Sequence, residues 1–316
     1  METSLIFVSY NSFNVLNECI CSALKHRIPI ESIIVVDNAS DDNSVNKLKT
    51  NYKNLNIIAL SENLGYGGAI NVALSKVTSR YVSILNPDMI FTCNPFPKLE
   101  KYYATHQNIG VVGIQQLFPN KKWQASYGRF ISISQIIEDL FFISRIKNIF
   151  DRICFNFGYK RIKKVEYVDG AFMFAETNRI NNIGGFDEKT FFFYYEDADL
   201  AKRFIDSGYI NICYTRLSII HYRGYLSTKN RTLINTFSLE QYTNGIFEFL
   251  KKHYSKKYIN IYVSLLHVQS LKQLFIVKVL SLIINSEKHT FKRERYKHII
   301  NNGIKRFKNL TTDEKP

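Results

Sequence analysis

The feature that most constrains this chain is an alternation in its first hundred residues. Short apolar runs at residues 5–9, 33–37, 55–60 and 81–85 are separated by helix-patterned stretches at 13–26, 43–51 and 68–77. A β-α-β-α-β-α-β series builds a parallel sheet with helices on both faces, because each strand returns only after a helical crossover. Parallel strands end together, so the polar residues that follow them collect along one edge, where ligands of such folds bind. The expected fold is therefore α/β, a Rossmann-like, mostly parallel sheet flanked by helices.

The strand ends carry one kind of chemistry. Ser9, Tyr10 and Asn11 follow the first, Asp37, Asn38, Ala39, Ser40, Asp41 and Asp42 the second, and Asn86, Pro87 and Asp88 the fourth. After the third comes Asn63-Leu-Gly65-Tyr-Gly67-Gly68. Each alone is turn chemistry; four at ligand-binding ends point to a site. The glycines do not form G-x-G-x-x-G, since Ile70 occupies the third position, and no G-x-x-x-x-G-K-[ST] exists, which disfavours dinucleotide and P-loop enzymes. A flexible backbone opening a helix remains, suited to an anion or a nucleobase edge.

Further on, the pattern predicts a helix over 98–106, a strand over 110–114, an amphipathic stretch over 131–155 and a strand over 167–175. The stretch FFFYYEDADLAKR, from Phe191 to Arg203, sets Glu196, Asp197 and Asp199 directly behind five aromatic residues. Leu200, Ala201, Phe204 and Ile205 recur at helical spacing, so acids here can satisfy free N–H groups at a helix start. That accounts for two of the three carboxylates. The third faces an aromatic run able to strip water from what it touches. His221 ends the apolar run that follows the strand at 210–214.

Composition narrows the partners. The formal charge of +15 calls for a polyanionic neighbour, and residues 230–316 hold 16 Lys and Arg against 6 Asp and Glu, so the basic character belongs mainly to the tail. A nucleic-acid binder would interleave bases with aromatics, whereas here the aromatics accompany acids, so no nucleic-acid partner is expected. Five scattered cysteines without a CxxC pair fit a reducing compartment and free buried thiols, and argue against zinc. Residues 1–10 do not read as a secretory signal. The apolar tract 259–284 is interrupted by His267, Lys272 and Lys278, too polar to predict a membrane span.

Taken in order, VSYN (from Val8), VVDNASDD (from Val35), NLGYGGAIN (from Asn63), LNPD (from Leu85), VDGAFMF (from Val168), GGFDEKTFFFYYEDADLAKR (from Gly184) and His221 resemble the family-2 glycosyltransferases, in particular their rhamnosyltransferase-like branch. The resemblance runs over residues 3–225. It implies the GT-A nucleotide-diphospho-sugar transferase fold, a divalent metal (Mg²⁺ or Mn²⁺) and inverting transfer. It places the donor against Ser9, Tyr10, Asn11, Asp37, Asn38, Asn63, Gly65, Asn71, Asn86 and Asp88. Asp88 matches the last acid of the family's D-x-D signature, with Asn86 in place of the first, and His221 completes the metal's ligands. Asp197 is implied as general base and Glu196 as the residue positioning it or the acceptor, which also meets Asp169 and Gly170. Asp199 is read as a helix-start residue.

The implied organisation is a GT-A domain over 1–225, with a nucleotide-binding half (1–95) and an acceptor-binding, catalytic half (96–225). A basic helical extension over 226–316, with Lys251, Lys252, Lys256, Lys257, Lys292, Arg293 and Arg295, is suited to an anionic membrane surface. The implied acceptor is a lipid-linked saccharide of O-antigen or similar surface-polysaccharide synthesis, at the cytoplasmic face of a bacterial inner membrane. TDP-rhamnose is the first choice of donor. Galactofuranose, galactose, glucose or N-acetylhexosamine transfer, and a catalytically silent nucleotide-sugar-binding scaffold, are the alternatives.

Overall fold

The computed structural model describes residues 2–156, 162–222, 236–283, 293, 296–297 and 299–303. They fall into two compact units, Met1–Phe130 with Cys154–Lys229, and Ile131–Ile153 with Asn230–Pro316.

The first unit opens with the alternating series: β1 (Thr3–Ser9), α1 (Phe13–Lys25), β2 (Ile33–Asp37), α2 (Ser44–Asn51), β3 (Asn56–Ala59), α3 (Gly65–Leu74) and β4 (Tyr81–Leu85). After it come β5 (Met89–Phe91), α4 (Phe96–Thr105), β6 (Ile109–Leu117) and β7 (Tyr127–Gly128). Its later part holds β8 (Ile162–Val165), β9 (Tyr167–Val168), β10 (Phe172–Glu176), α7 (Thr177–Asn182), α8 (Glu196–Asp206) and β11 (Ile210–His221). Among the described residues nine strands form one sheet, ordered β3-β2-β1-β4-β10-β6-β11-β5, with β8 on β11.

Alternation along β1 divides the core between the sheet's faces. Leu5 and Phe7 pack with Leu16, Ile20, Leu48, Phe96 and Leu99 of α1, α2 and α4. Ile6 and Val8 pack with Ala69, Ile70, Leu200 and Phe204 of α3 and α8. The parallel arrangement holds through β3-β2-β1-β4, while β10 runs antiparallel to β4 and β6, so the whole sheet is mixed.

Two departures from the sequence reading shape the site. The single strand expected over 167–175 breaks at Asp169, whose Oδ1 accepts from Ala171 N (3.0 Å) and whose carbonyl accepts from Phe172 N (3.1 Å). This Asx-type turn releases Tyr167–Val168 to pair with β7 in a small separate sheet. The two apolar runs expected around 210–220 form one strand, β11, whose register against β6 shifts between Tyr214 and Ser218. Its end pairs antiparallel with the short β5, His221 opposite Met89, next to Asp88.

Buried polar groups tie α8 to the sheet. Asn211 on β11 is fully buried; its Oδ1 accepts from Val111 N (3.0 Å) and its amide donates to Ala201 O and Glu166 O (both 2.9 Å). Arg203 pairs with Asp199 (2.9 Å) and donates to Ile183 O and Gly185 O (both 2.7 Å). Asp199 thus lies in the first turn of α8, as expected, but its carboxylate holds Arg203 one turn further on. The thiols are free, yet only Cys19 and Cys213 are buried, and Cys21 is exposed beside Tyr52 Oη (3.2 Å).

In the second unit the amphipathic stretch divides at Phe142, which has φ +61°, into α5 (Ile133–Leu140) and α6 (Ile143–Asn156). The C-terminal extension is helical over α9 (Thr236–His253) and α10 (Lys256–Ile283). Tyr258 Oη accepts from Ile133 N (3.0 Å), Tyr254 Oη donates to Ile131 O (2.8 Å), and Gln269 donates to Asp139 (3.2 Å), so the stretch from 131 packs with the C-terminal helices. Among the described residues no helix is long and apolar enough to cross a membrane. Lys251, Lys252, Lys256 and Lys257 are exposed, whereas Lys292, Arg295 and residues 223–235 lie outside the described residues.

Asn211→Ala should lower the unfolding free energy by about 2–3 kcal/mol, since it leaves the buried Val111 N–H without its acceptor and opens a small cavity. Urea unfolding followed by circular dichroism measures this; a loss under about 0.5 kcal/mol, the scale of a surface substitution, would contradict the role given to Asn211.

Candidate active site

The register of β1 on β2 sets Ser9 opposite Asp37 at the carboxyl edge. Asp37 is buried; Oδ1 accepts from Ser40 N (2.9 Å), while its buried Oδ2 has no partner within the protein. An unpartnered buried carboxylate oxygen is costly, and an N–H donor of a ligand would satisfy it. Around it, Asn11 (φ +48°) accepts from Asp41 N (3.0 Å) and Ser9 Oγ meets Ser12 Oγ (2.8 Å), while Tyr10 is 51% exposed and free to cover a planar ring.

Three of the asparagines expected at the donor make hydrogen bonds within the chain. The Asn38 amide donates to Asn63 Oδ1 (2.8 Å) and Gly65 O (3.1 Å), and its Oδ1 accepts from Leu64 N (2.9 Å). Asn63 Oδ1 also accepts from Gly65 N (2.9 Å). Asn71 bonds Phe186 N and O and Glu188, locking α3 to the turn after Gly185. Both amide hydrogens of Asn38 and of Asn71 are thus donated within the chain. Gly65 is fixed by position: φ is +75°, and a Cβ there would meet Phe192 O at 2.5 Å. The helix thereby starts at Gly65 rather than 68, with Tyr66 N donating to Phe192 O (3.0 Å).

At the far end of the edge Asp88 Oδ1 lies 3.3 Å from His221 Nε2, both side chains buried. His221 Nδ1 faces two amide oxygens, Gln116 Oε1 (2.7 Å) and Gln124 Oε1 (3.0 Å), so it carries a hydrogen and the ring is held with Nε2 toward Asp88. A carboxylate oxygen and an imidazole nitrogen set side by side are ligand types that a divalent cation accepts. Among the described residues no three acidic, histidine or cysteine side chains come together as a metal site. Gln116 and Gln124 were not anticipated. The signal was present, for Gln115-Gln116 interrupts an otherwise apolar strand that is buried throughout. Gln115 anchors the arrangement through Gln124 O (2.7 Å) and Ser126 Oγ (2.9 Å). Asn86 is half-buried, its N–H bonded to Ala171 O (3.0 Å).

The acids of α8 meet this edge through the Asp169 turn. Asp197 Oδ2 accepts from Gly170 N (2.8 Å), and Gly170 O accepts from Tyr66 Oη (3.1 Å). A Cβ at Gly170 would press on Asp197 Cβ at 3.1 Å. The Tyr66 phenol is pushed well up by burial, then by the charges of Glu196, Asp197, Asp169 and Asp88, so it stays a neutral donor. Tyr194 (φ +74°) and Tyr195 (φ +72°) both adopt the left-handed region immediately before Glu196. Such strain, about 1–3 kcal/mol per residue, persists where surroundings impose it and accumulates at functional sites. The aromatic run is not one wall: Phe191 belongs to the core, and Phe192 and Phe193 are the exposed pair.

The two neighbouring acids are set apart. Burial first, and then the Asp197 charge, raise the Glu196 carboxyl to about 8, and one of its oxygens is buried without a partner. Burial and Asp169 raise Asp197 to about 6, against the hydrogen bonds from Gly170 and Ala198. Glu196 is thus raised further than Asp197, so that of the two Asp197 gives up its proton first as pH rises.

Comparisons with known proteins agree on the class. A mannosyltransferase from Pyrobaculum calidifontis, solved with GDP-Man and Mn²⁺, superposes with a TM-score of 0.52 at 14% identity, over 99% of this chain and 88% of that one. GalNAc-T7, solved with UDP, GalNAc and Mn²⁺, gives a TM-score of 0.56 at 12% identity, over 95% of this chain and 56% of that one. At such identities the likeness defines the fold, GT-A. Residues 4–165 match the profile of glycosyl transferase family 2, and the chain belongs to that family. An N-acetylglucosaminyl-diphospho-decaprenol L-rhamnosyltransferase of Mycobacterium tuberculosis is 20% identical over 211 residues, 61% of this chain and 67% of the relative. An uncharacterized glycosyltransferase of a Nostoc species is 26% identical over 115 residues, 35% of this chain and 36% of that protein.

Between its ordinary 4.5 and the raised value near 8, Glu196 binds more protons in the folded protein than in the unfolded chain. Unfolding free energy therefore falls as pH rises through that window. Glu196→Gln should abolish the decline between about pH 6 and 8 and leave the part below about pH 6, which Asp197 supplies. Thermal melts across pH test this; an unchanged decline above pH 6 would contradict the raised Glu196.

Proposed function

We propose that this protein transfers a sugar, with inversion at the anomeric carbon, from a nucleotide-diphospho-sugar to a lipid-linked saccharide. The observation that carries the reading is the convergence on one edge of a carboxylate, Asp197, with the Asp88–His221 pair and the unpartnered Asp37 oxygen.

Asp37 accepts from the N–H edge of the nucleobase, with Tyr10 over the ring and Ser9 and Asn11 shaping the pocket. Asp88 and His221 hold Mg²⁺ or Mn²⁺, which supplies positive charge for the diphosphate. Gln116 and Gln124 keep the imidazole in the ligating tautomer. Asp197 takes the proton of the acceptor hydroxyl as the new O–C bond forms and the bond from the anomeric carbon to the diphosphate oxygen breaks. Glu196, neutral, positions the acceptor together with Asp169 and Gly170. Phe192 and Phe193 offer apolar faces to sugar rings and exclude water that would otherwise hydrolyse the donor.

The mycobacterial relative's name describes rhamnose transfer to a diphospho-lipid-linked N-acetylglucosamine. It supports rhamnose as the sugar and a lipid-linked acceptor here; TDP as the carrier, surface-polysaccharide synthesis and a place on the cytoplasmic face of a bacterial membrane complete the proposal.

Asp197→Asn should lower kcat by about 100-fold or more while leaving donor affinity nearly unchanged. Turnover and donor titration on the same preparation decide it. Turnover within about threefold of wild type, far short of the loss expected on removing a general base, would remove Asp197 from the mechanism.

A further inference from the structure

The functional reading leaves one surface unused. Helix α6 exposes a continuous apolar row: Ile146 is 64% exposed, Ile149 56%, Phe150 59% and Ile153 45%, continued at its start by Ile143 (39%) and Phe141 (70%) just before it. Spacings of three, four and seven residues put the helical members on one face, within an arc of about 120°. Water is an expensive solvent for such a row, and rows of this size mark a contact.

The charges name the contact. Arg145 and Arg152 border the row on one side and Lys147 on the other, all exposed, while the helix's single acid, Asp151, lies away from it. Lys147 is shared with Glu138 of α5 (2.8 Å), and the Arg145 guanidinium lies over the Phe142 ring (4.8 Å). An apolar face buried to the depth of a side chain, with arginine and lysine stems reaching up from both borders, is the arrangement that seats a helix among anionic headgroups. A second protein chain would gain from the apolar row but has no general need of cations along both borders.

We propose that α6 is the element by which this protein lies on an anionic lipid surface, its apolar row inserted in the interface plane. The inference builds on the lipid-linked acceptor of the functional reading and moves the membrane contact from the basic tail to α6. Helix α10 offers the main competing row, Val268, Leu271 and Phe275, and the test separates the two.

The test is sedimentation of the full chain with phosphatidylcholine vesicles, with and without phosphatidylglycerol, run beside a titration of Mn²⁺ with a nucleotide diphosphate. The wild type should sediment with the phosphatidylglycerol vesicles only. Ile146→Asp with Phe150→Asp should lower partitioning about tenfold or more, and Arg145→Glu with Arg152→Glu about as much, with the melting temperature and nucleotide binding unchanged. These positions are exposed, so the variants retain their fold. No vesicle binding by the wild type overturns the proposal. So does undiminished binding in both α6 variants, loss of binding only with Phe275→Asp, or a wild-type dimer in gel filtration that the α6 variants dissociate. Failure to bind any nucleotide, with vesicle binding intact, would count against the transferase reading and not against α6.

Discussion

The site depends on where strands stop. Because β1 and β2 run parallel in the register Ser9 to Asp37, the carboxylate meant for a ligand arrives at the same level as the first polar turn. On the other side of the sheet β11 runs on to His221, and the short β5 fixes that end beside Asp88. A slip of one residue in either pairing would turn the functional side chain to the opposite face. The apolar alternation that fills both cores is what forbids the slip, so packing and chemistry share one constraint.

A second device joins the halves of the site. The Asp169 turn interrupts what would have been one strand and turns Gly170 toward α8, where its N–H meets Asp197 and its carbonyl meets Tyr66 from α3. Three elements distant in sequence converge on one residue. The absence of a side chain at Gly170 permits the approach, and the left-handed turn at Tyr194 and Tyr195 delivers the acids to it. Burial then separates the two carboxyls, so Asp197 gives up its proton before Glu196 as pH rises.

Much of this was legible in the sequence. The strands at 33–37 and 81–85 appear where hydrophobic period and turn chemistry put them. Asp37, Asp88, Asp197 and His221 stood out because each follows an apolar run or stands against an aromatic one, and the structure sets Asp88 beside His221 and Asp197 on the Asp169 turn. The bonds that Asn38 and Asn71 make within the chain were not legible, since an asparagine that holds a turn and one that faces a ligand look alike until both amide hydrogens are traced. Gln116 and Gln124 were missed because a buried glutamine, in a strand or in the segment that follows it, has no period of its own; its meaning lies in a histidine about a hundred residues away. The break at Asp169 and the end of α5 at Phe142 are backbone events at residues whose neighbours fit a continuing element.

The central claim is that Asp37, the Asp88–His221 pair and Asp197 form one donor site. Crystals grown with Mn²⁺ and the tightest binder among UDP, TDP and GDP test it most directly, using anomalous scattering to locate the metal. The account predicts an anomalous peak bonded to Asp88 and His221 Nε2, the base against Asp37, and an open path from the diphosphate to Asp197. A nucleotide seated elsewhere, or a metal that leaves His221 without a bond while the nucleotide is bound, would contradict it.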